Sequence, residues 1–282
     1  MEALTQKLVS EKDYPAVGAL GSFRYSMGAI IGPALGGVLI ARFGARGAYI
    51  FDFFTFTAAL ASLYFMSRVP NPEPRQRSPI ADAHEGIRFA FSKPELVGTY
   101  VIDIVAMVFA FPVSLFPALS QNWGGASAAG VLFSGMAVGS LVATLLSGWT
   151  SNVPYHGRGV VISAIFWAIF IIGFGVAPNL STAFCFLALA GAADMLSGLF
   201  RGIIWNQSVP NELRGRLSGI EMISYMSGPL LGNARAGWVA SKTSVATSIT
   251  SGGLICTVAV IATAFLLPEF WKYRAVLDQN KN

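Results

Sequence analysis

The chain has 282 residues, of which 54% are hydrophobic and 12% charged, and that charged share is about half the roughly 25% of a soluble globular protein. A soluble monomer of this size still exposes about a quarter of its unfolded surface, more than so few polar groups can cover, and the composition fits no disordered chain, collagen or disulfide scaffold. What remains is an all-α integral membrane protein, and the net charge of +5 then belongs to the rims of a membrane domain and not to a nucleic-acid surface.

Residues 1–17 carry Glu2, Glu11, Asp13 and two lysines with no apolar run, so no secretory signal peptide is expected. Apolar stretches long enough to cross a bilayer, about 20 residues each, then follow at 18–41 and 46–67. Residues 68–96 are polar and open with Pro70, Pro72, Pro74 and Pro79. Ile80, Ala83, Ile87 and Phe91 recur there at helical spacing, with Asp82, Glu85 and Arg88 on other faces. That pattern predicts an amphipathic helix lying along the membrane surface. Six further spans are expected at 97–118, 127–149, 159–178, 180–206, 214–240 and 247–268, followed by a tail at 269–282. No Asp, Glu, Lys or Arg occurs between Asp103 and Arg158, between Arg158 and Asp194, or between Lys242 and Glu269. The apolar runs are continuous instead of alternating, which selects helices over barrel strands.

Eight spans put both termini on one side. That side carries 13 of the 19 lysines and arginines, against Arg42, Arg46 and Lys242 on the other, with Arg24, Arg201 and Arg235 inside spans. Both termini are therefore expected in the cytoplasm, with residues 68–96 as a cytoplasmic linker. Cys185 and Cys256 each fall inside a span, without the spacing of a metal site or redox pair. Trp123, Trp149, Trp238 and Trp271 sit near span ends as interfacial anchors, while Trp167 and Trp205 are candidates for lining a cavity. His84 and His156 have no catalytic or metal-binding spacing, and no metal or other cofactor is expected. No H-E-x-x-H, G-x-S-x-G or G-x-x-x-x-G-K-[ST] pattern occurs, so an intramembrane enzyme is a distant third reading and an ATP-driven pump lacks its nucleotide site.

Gly32-Pro33-Ala34-Leu35-Gly36 in the first span is echoed by Gly228-Pro229-Leu230-Leu231-Gly232 in the seventh. One such pattern alone is a kinked helix that allows close packing. Two at matching places suggest a transporter built from related bundles, with the glycines of each pressed against a neighbouring helix. Ser22-Phe23-Arg24 followed by Gly28, Gly32, Pro33, Gly36 and Gly37 resembles the fifth-helix antiporter motif of the major facilitator superfamily, with Ala19 where that pattern has a glycine. Glu85-Gly86-Ile87-Arg88-Phe89 with Pro94 resembles the linker of that superfamily's multidrug branch. Leu115-Phe116-Pro117-Ala118-Leu119 with Asn122-Trp123, and Val209-Pro210 through Gly215-Arg216-Leu217-Ser218-Gly219, resemble the enterobactin exporter group. The resemblance implies twelve helices in two bundles, of which this chain matches about the fifth to twelfth. It makes 1–67 the remnant of an amino-terminal bundle and 97–268 the carboxy-terminal six-helix bundle. A loop motif after Gly148 is reduced to Asn152 and Gly157-Arg158.

The resemblance implies a multi-pass inner-membrane exporter of a small molecule, a drug or a siderophore, with protons as coupling ion and the lipid bilayer as surroundings. A non-transporting fragment, or one piece of a split transporter lacking an amino-terminal partner, is the alternative. Charges in a span face a cavity or a partner, because each costs about 2.5–3.5 kcal/mol at the bilayer centre. Asp194 is the deepest acid and the candidate for coupling. Arg201, seven residues on and about 10.5 Å along the axis, either attracts an anionic substrate group or sets the proton affinity of Asp194. Glu221 is the expected partner of Arg201, Asp103 a rim charge or a binding group, and Trp205 a lining residue. Gly191, Gly198 and Gly202 suit the same helix to close packing.

Overall fold

The computed structural model describes residues 14–64 and 79–274, and all regular structure among them is helical. The first helix, α1 (Tyr14–Tyr64), is two helices joined at Gly44, whose φ of 68° and ψ of 177° lie where only glycine goes cheaply. The spans expected at 18–41 and 46–67 fall on either side of that break, residues 65–67 being outside the described residues. In the second piece Phe51, Phe53, Phe54, Phe56 and Leu60 are all exposed, as befits a helix whose apolar surface meets lipid.

α2 (Pro79–Phe91) is the helix expected in the linker. Ile87 and Phe91 are exposed, while Gly86 and Ala90 are buried. Ala90 packs with Leu96, Val209 and Leu217, so the helix docks on the bundle through its small residues and leaves the large apolar ones outward. The side chains of Ile80, Asp82 and Ala83 lie outside the described residues.

α3 (Pro94–Phe109) stops short of the 97–118 span. Pro112 has no N–H to donate and biases the residue before it away from helical angles, so the chain breaks at residues 110–112. It resumes as a 3-10 turn, Val113–Leu115, and a short α4 (Phe116–Ser120). The break is held by the neighbouring helix: the Ser114 N–H donates to Asn233 Oδ1 at 2.9 Å and Ser114 Oγ to the Asn233 carbonyl at 3.2 Å. The remaining long helices are α5 (Ala126–Leu145), α6 (His156–Gly175), α7 (Leu180–Ser208), α8 (Asn211–Lys242) and α9 (Val245–Leu266), with a final turn, α10 (Pro268–Trp271). α7 and α9 start on side-chain caps, Asn179 accepting from Thr182 N–H and Ser244 from Thr247 N–H, which satisfies orphan donors of the first turn.

Five helical segments among the described residues are long and apolar enough to cross a membrane: Pro94–Trp123, Ala126–Leu145, His156–Gly175, Leu180–Ser208 and Val245–Leu266. The two pieces of α1 and the helix α8 are not in that set. α8 runs unbroken past Pro229 through the bundle, but it carries Arg214, Arg216, Glu221, Asn233 and Arg235, which lowers its hydropathy.

Without a hydrophobic driving force between helices in lipid, association rests on packing, and here glycine sets it. A Cβ on Gly139 of α5 would strike the backbone of Ala188 in α7, and one on Gly191 of α7 the backbone of Met136 in α5. Gly228 and Gly232 of α8 lie against the side chain and carbonyl of Met107 in α3. The second copy of the repeat thus has the close neighbour expected of it. The first does not among the described residues: Gly28, Gly32 and Gly36 have nothing there within 4 Å of a Cβ position. Gly202 is likewise open and Gly198 meets only an Arg201 guanidinium nitrogen at 3.9 Å, so of the three α7 glycines only Gly191 makes a close crossing. The side-chain surroundings of Arg24, Pro33 and Gly37 lie outside the described residues. Gly191→Leu should therefore cost several degrees in Tm of the detergent-solubilised chain, whereas Gly32→Leu should leave Tm within about a degree, as for a surface change within ±0.5 kcal/mol; differential scanning fluorimetry reads both.

Candidate functional site

The charged residues inside the bundle converge where α3, α7 and α8 meet. Asp103 is one turn beyond Thr99 and Tyr100 on α3, and its carboxylate pairs with the guanidinium of Arg201 on α7. Asp103 is 5% exposed, so of the two readings open to it, a rim charge or a binding group, its burial fits the second better. The partner of Arg201 is Asp103 and not Glu221. Met107, one turn beyond Asp103 on the same face of α3, packs against Gly228 and Gly232 of α8, so that face meets both α7 and α8. Glu221, on α8, acts on Arg201 through space.

Two small cavities adjoin this pair. The first is bounded by Asp103, Ala106, Trp167, Asp194, Ser197 and Arg201, and the second by Tyr100, Asp103, Arg201, Trp205, Glu221 and Tyr225. Each holds about 10 Å³, room for about one water and for no organic substrate. The ion pair is the wall between them. Asp194, Arg201, Asp103, Glu221 and Trp205, read separately from sequence, therefore surround one place. Asp194 and Arg201 do not pair directly: Asp194 lies two turns away along α7 and makes no hydrogen bond or ion pair among the described residues, though it lies in the field of Arg201. The indole Nε1 of Trp167 is buried without a partner, and that of Trp205 donates to Tyr100 Oη at 3.2 Å, tying α7 to α3.

Three carboxyl groups thus surround one guanidinium. All ionised, the group would carry two uncompensated negative charges in a medium where buried charge is expensive. The arrangement accommodates protons or a cation more readily than it accommodates an anion. Tyr100, Ser197 and Tyr225 also line the site, and sequence reading passed over them. Their signal was positional: Tyr100 stands three residues before Asp103, Ser197 between Asp194 and Arg201, and Tyr225, itself half-exposed, four after Glu221.

A wider cavity of about 540 Å³ lies between α1 and the α4–α5 turn, lined by Gly36, Ile40, Pro117, Gln121, Gly130 and Phe133 among others. It is of ligand size but has no charged lining and includes none of the five converging residues.

The transmembrane secretion effector family profile matches residues 1–280. The enterobactin exporter EntS of Citrobacter koseri is 27% identical over 275 residues, covering 96% of this chain and 66% of its own length. Those of Shigella boydii serotype 18 and Escherichia coli O1:K1 are each 26% identical over 280 residues, covering 98% of this chain and 67% of theirs. The chain spans about two thirds of the length of these relatives.

Removing one member of a buried pair leaves the other uncompensated, at about 3–5 kcal/mol. Asp103→Asn should lower the unfolding free energy in detergent by that order, and Asp194→Asn, which deletes an unpaired charge, by much less. Urea titration followed by tryptophan fluorescence compares them.

Proposed function

The chain belongs to the transmembrane secretion effectors of the major facilitator superfamily, and we propose on that premise that it exports a small molecule from the cytoplasm in exchange for protons. The cycle is alternating access between two helical bundles, in a twelve-helix architecture of which this chain supplies eight spans in the inner membrane. The observation that carries this reading is the surplus of carboxyl groups over guanidinium at the α3–α7–α8 junction. Asp103 is committed to Arg201, which leaves Asp194 and Glu221 as the acids free to take up and release a proton.

Asp194 is the coupling group in this reading. It has no fixed partner, it faces a water-sized cavity, and its charge is balanced only through space by Arg201. Of the two roles open to Arg201, setting the proton affinity of the neighbouring acids fits better than capture of an anion, since Asp103 already neutralises it. Protonating Asp194 or Glu221 lowers the negative surplus and weakens what holds Arg201 between α3, α7 and α8. A proton therefore acts on helix packing. The cavities are too small for the cargo, which in this reading enters when the helices part. The named relatives export enterobactin, so a siderophore is the first substrate to test, with drug-like compounds the second.

A second reading, a chain that transports only together with a further helical segment, is favoured by Gly28, Gly32 and Gly36, which have no close neighbour among the described residues, and by the greater length of the relatives. The 282-residue chain alone should then transport poorly in vesicles, and a form extended to the relatives' length should transport well.

In vesicles holding that extended form, Asp194→Asn should reduce proton-driven export at least tenfold and flatten its dependence on the pH gradient, with unchanged insertion. Undiminished proton-driven export in that variant would remove Asp194 from the mechanism. The orientation proposed from the lysine and arginine asymmetry, with both termini cytoplasmic, has its own test. In a chain freed of its two cysteines, Arg75→Cys should resist an impermeant thiol reagent applied outside intact cells and Lys242→Cys should react; the reverse pattern would invert the topology.

A further inference from the structure

A second cationic cluster lies away from the acidic junction, where the first turn of α6 meets α10. The guanidinium carbon of Arg158 stands 4.2 Å from the centre of the Tyr155 ring and 5.6 Å from that of Trp271, and the guanidinium of Arg274 is 4.8 Å from the same Tyr155 ring. One phenol ring therefore holds two cations. Among the described residues neither arginine pairs with a carboxylate, and Arg158 Nε is buried with no hydrogen-bond partner. A cation–π contact weakly attracts each guanidinium but leaves their mutual repulsion uncompensated. The cluster is fixed in place, because Gly157 lets the backbone of Phe270 in α10 lie directly on the start of α6.

We propose that this cluster binds the phosphate of an anionic phospholipid headgroup. The apolar half of such a ligand is accommodated by what lies beneath: Ile162 and Phe166, four and eight residues past Arg158, continue the same face of α6 and are both exposed. A free phosphate would use the arginines alone and leave that apolar strip without a role. The indole of Trp271 beside the guanidinium is the usual mark of the headgroup level. Basic pockets between helices at that level recognise anionic headgroups, each arginine contributing about a fivefold preference. The site needs only a chain embedded in a bilayer, and it stands or falls independently of the proton coupling and substrate proposed above.

The test is native mass spectrometry of the full 282-residue chain, released from detergent with equal amounts of phosphatidylglycerol and phosphatidylcholine. The unsubstituted chain should retain phosphatidylglycerol with at least a tenfold preference. Arg158→Gln with Arg274→Gln should bring the two lipids to parity, Arg158→Lys with Arg274→Lys should keep most of the preference, and Arg42→Gln should change nothing. Arg274→Gln alone, at an exposed residue beyond the last helix, should cut the preference about fivefold and decides the matter if the double variant does not fold. An unsubstituted chain without preference, or an Arg274→Gln chain with its preference intact, would overturn the proposal. So would displacement of the lipid by millimolar inorganic phosphate, which would make the site one for free phosphate.

Discussion

A guanidinium inside a bundle of membrane helices has to be neutralised by something at hand, and Arg201 places that demand on everything around it. Its answer, Asp103, comes from a different helix and is itself buried. The pair therefore fixes how α3 and α7 lie against each other. Once that contact is made, Tyr100, one turn away, reaches the indole of Trp205 one turn beyond Arg201, and Met107 on the same helix falls against Gly228 and Gly232 of α8. The polar junction and the tight glycine contacts lie one turn apart on one face of α3.

The remainder of the bundle follows the same economy. Gly139 and Gly191 bring α5 and α7 into backbone contact, close enough for Ser140 Oγ to donate to the Gly191 carbonyl at 2.9 Å. Ser248 Oγ donates likewise to the Ala236 carbonyl between α9 and α8 at 2.8 Å. Such bonds are individually modest in a membrane, but they form only where small residues have already brought backbones together. Packing precedes polarity at these crossings. At the α3–α7–α8 junction the order is reversed, since the charges cannot be left unpaired whatever the packing prefers.

Much of this was legible in the sequence, for physical reasons that can be named. Helices between the charge-free intervals are dictated by the need to satisfy every backbone group away from water, so α5, α6, α7 and α9 lie within a few residues of their expected bounds. Asp194, Arg201, Asp103 and Glu221 were legible as candidates because charge in lipid needs a partner or a cavity. The choice of partner was not: Asp103 of α3 and Glu221 of α8 both stand beside Arg201, and spacing along one helix does not say which neighbour comes closer. What periodicity did not mark in α2 is the face that docks on the bundle. Periodicity marks large apolar residues, yet docking on a helix bundle selects small ones, so Gly86 and Ala90 went inward while Ile87 and Phe91 stayed out. The first glycine motif, around Gly32, has the same pattern as the second, around Gly228, without such a neighbour among the described residues. A motif states what a surface can accept, and whether anything is there depends on the rest of the fold.

The break in α3 gives the pair a second point of purchase. Beyond Phe109 the helix gives out at Pro112, and Asn233 of α8 takes over the backbone of Ser114. Two residues further along α8, the Arg235 guanidinium and the Phe109 carbonyl share the space left by the missing side chain of Gly252. α3 is thus tied to α7 through Asp103 near its middle and to α8 through Asn233 where it breaks. The segment is held at both points by polar contacts, with a proline-made discontinuity between them. In the proposed cycle, then, a proton that loosens the Arg201 pair does not act on that pair alone. It changes the balance between the two ties, and the break at residues 110–112 is where α3 can yield while its two halves stay helical.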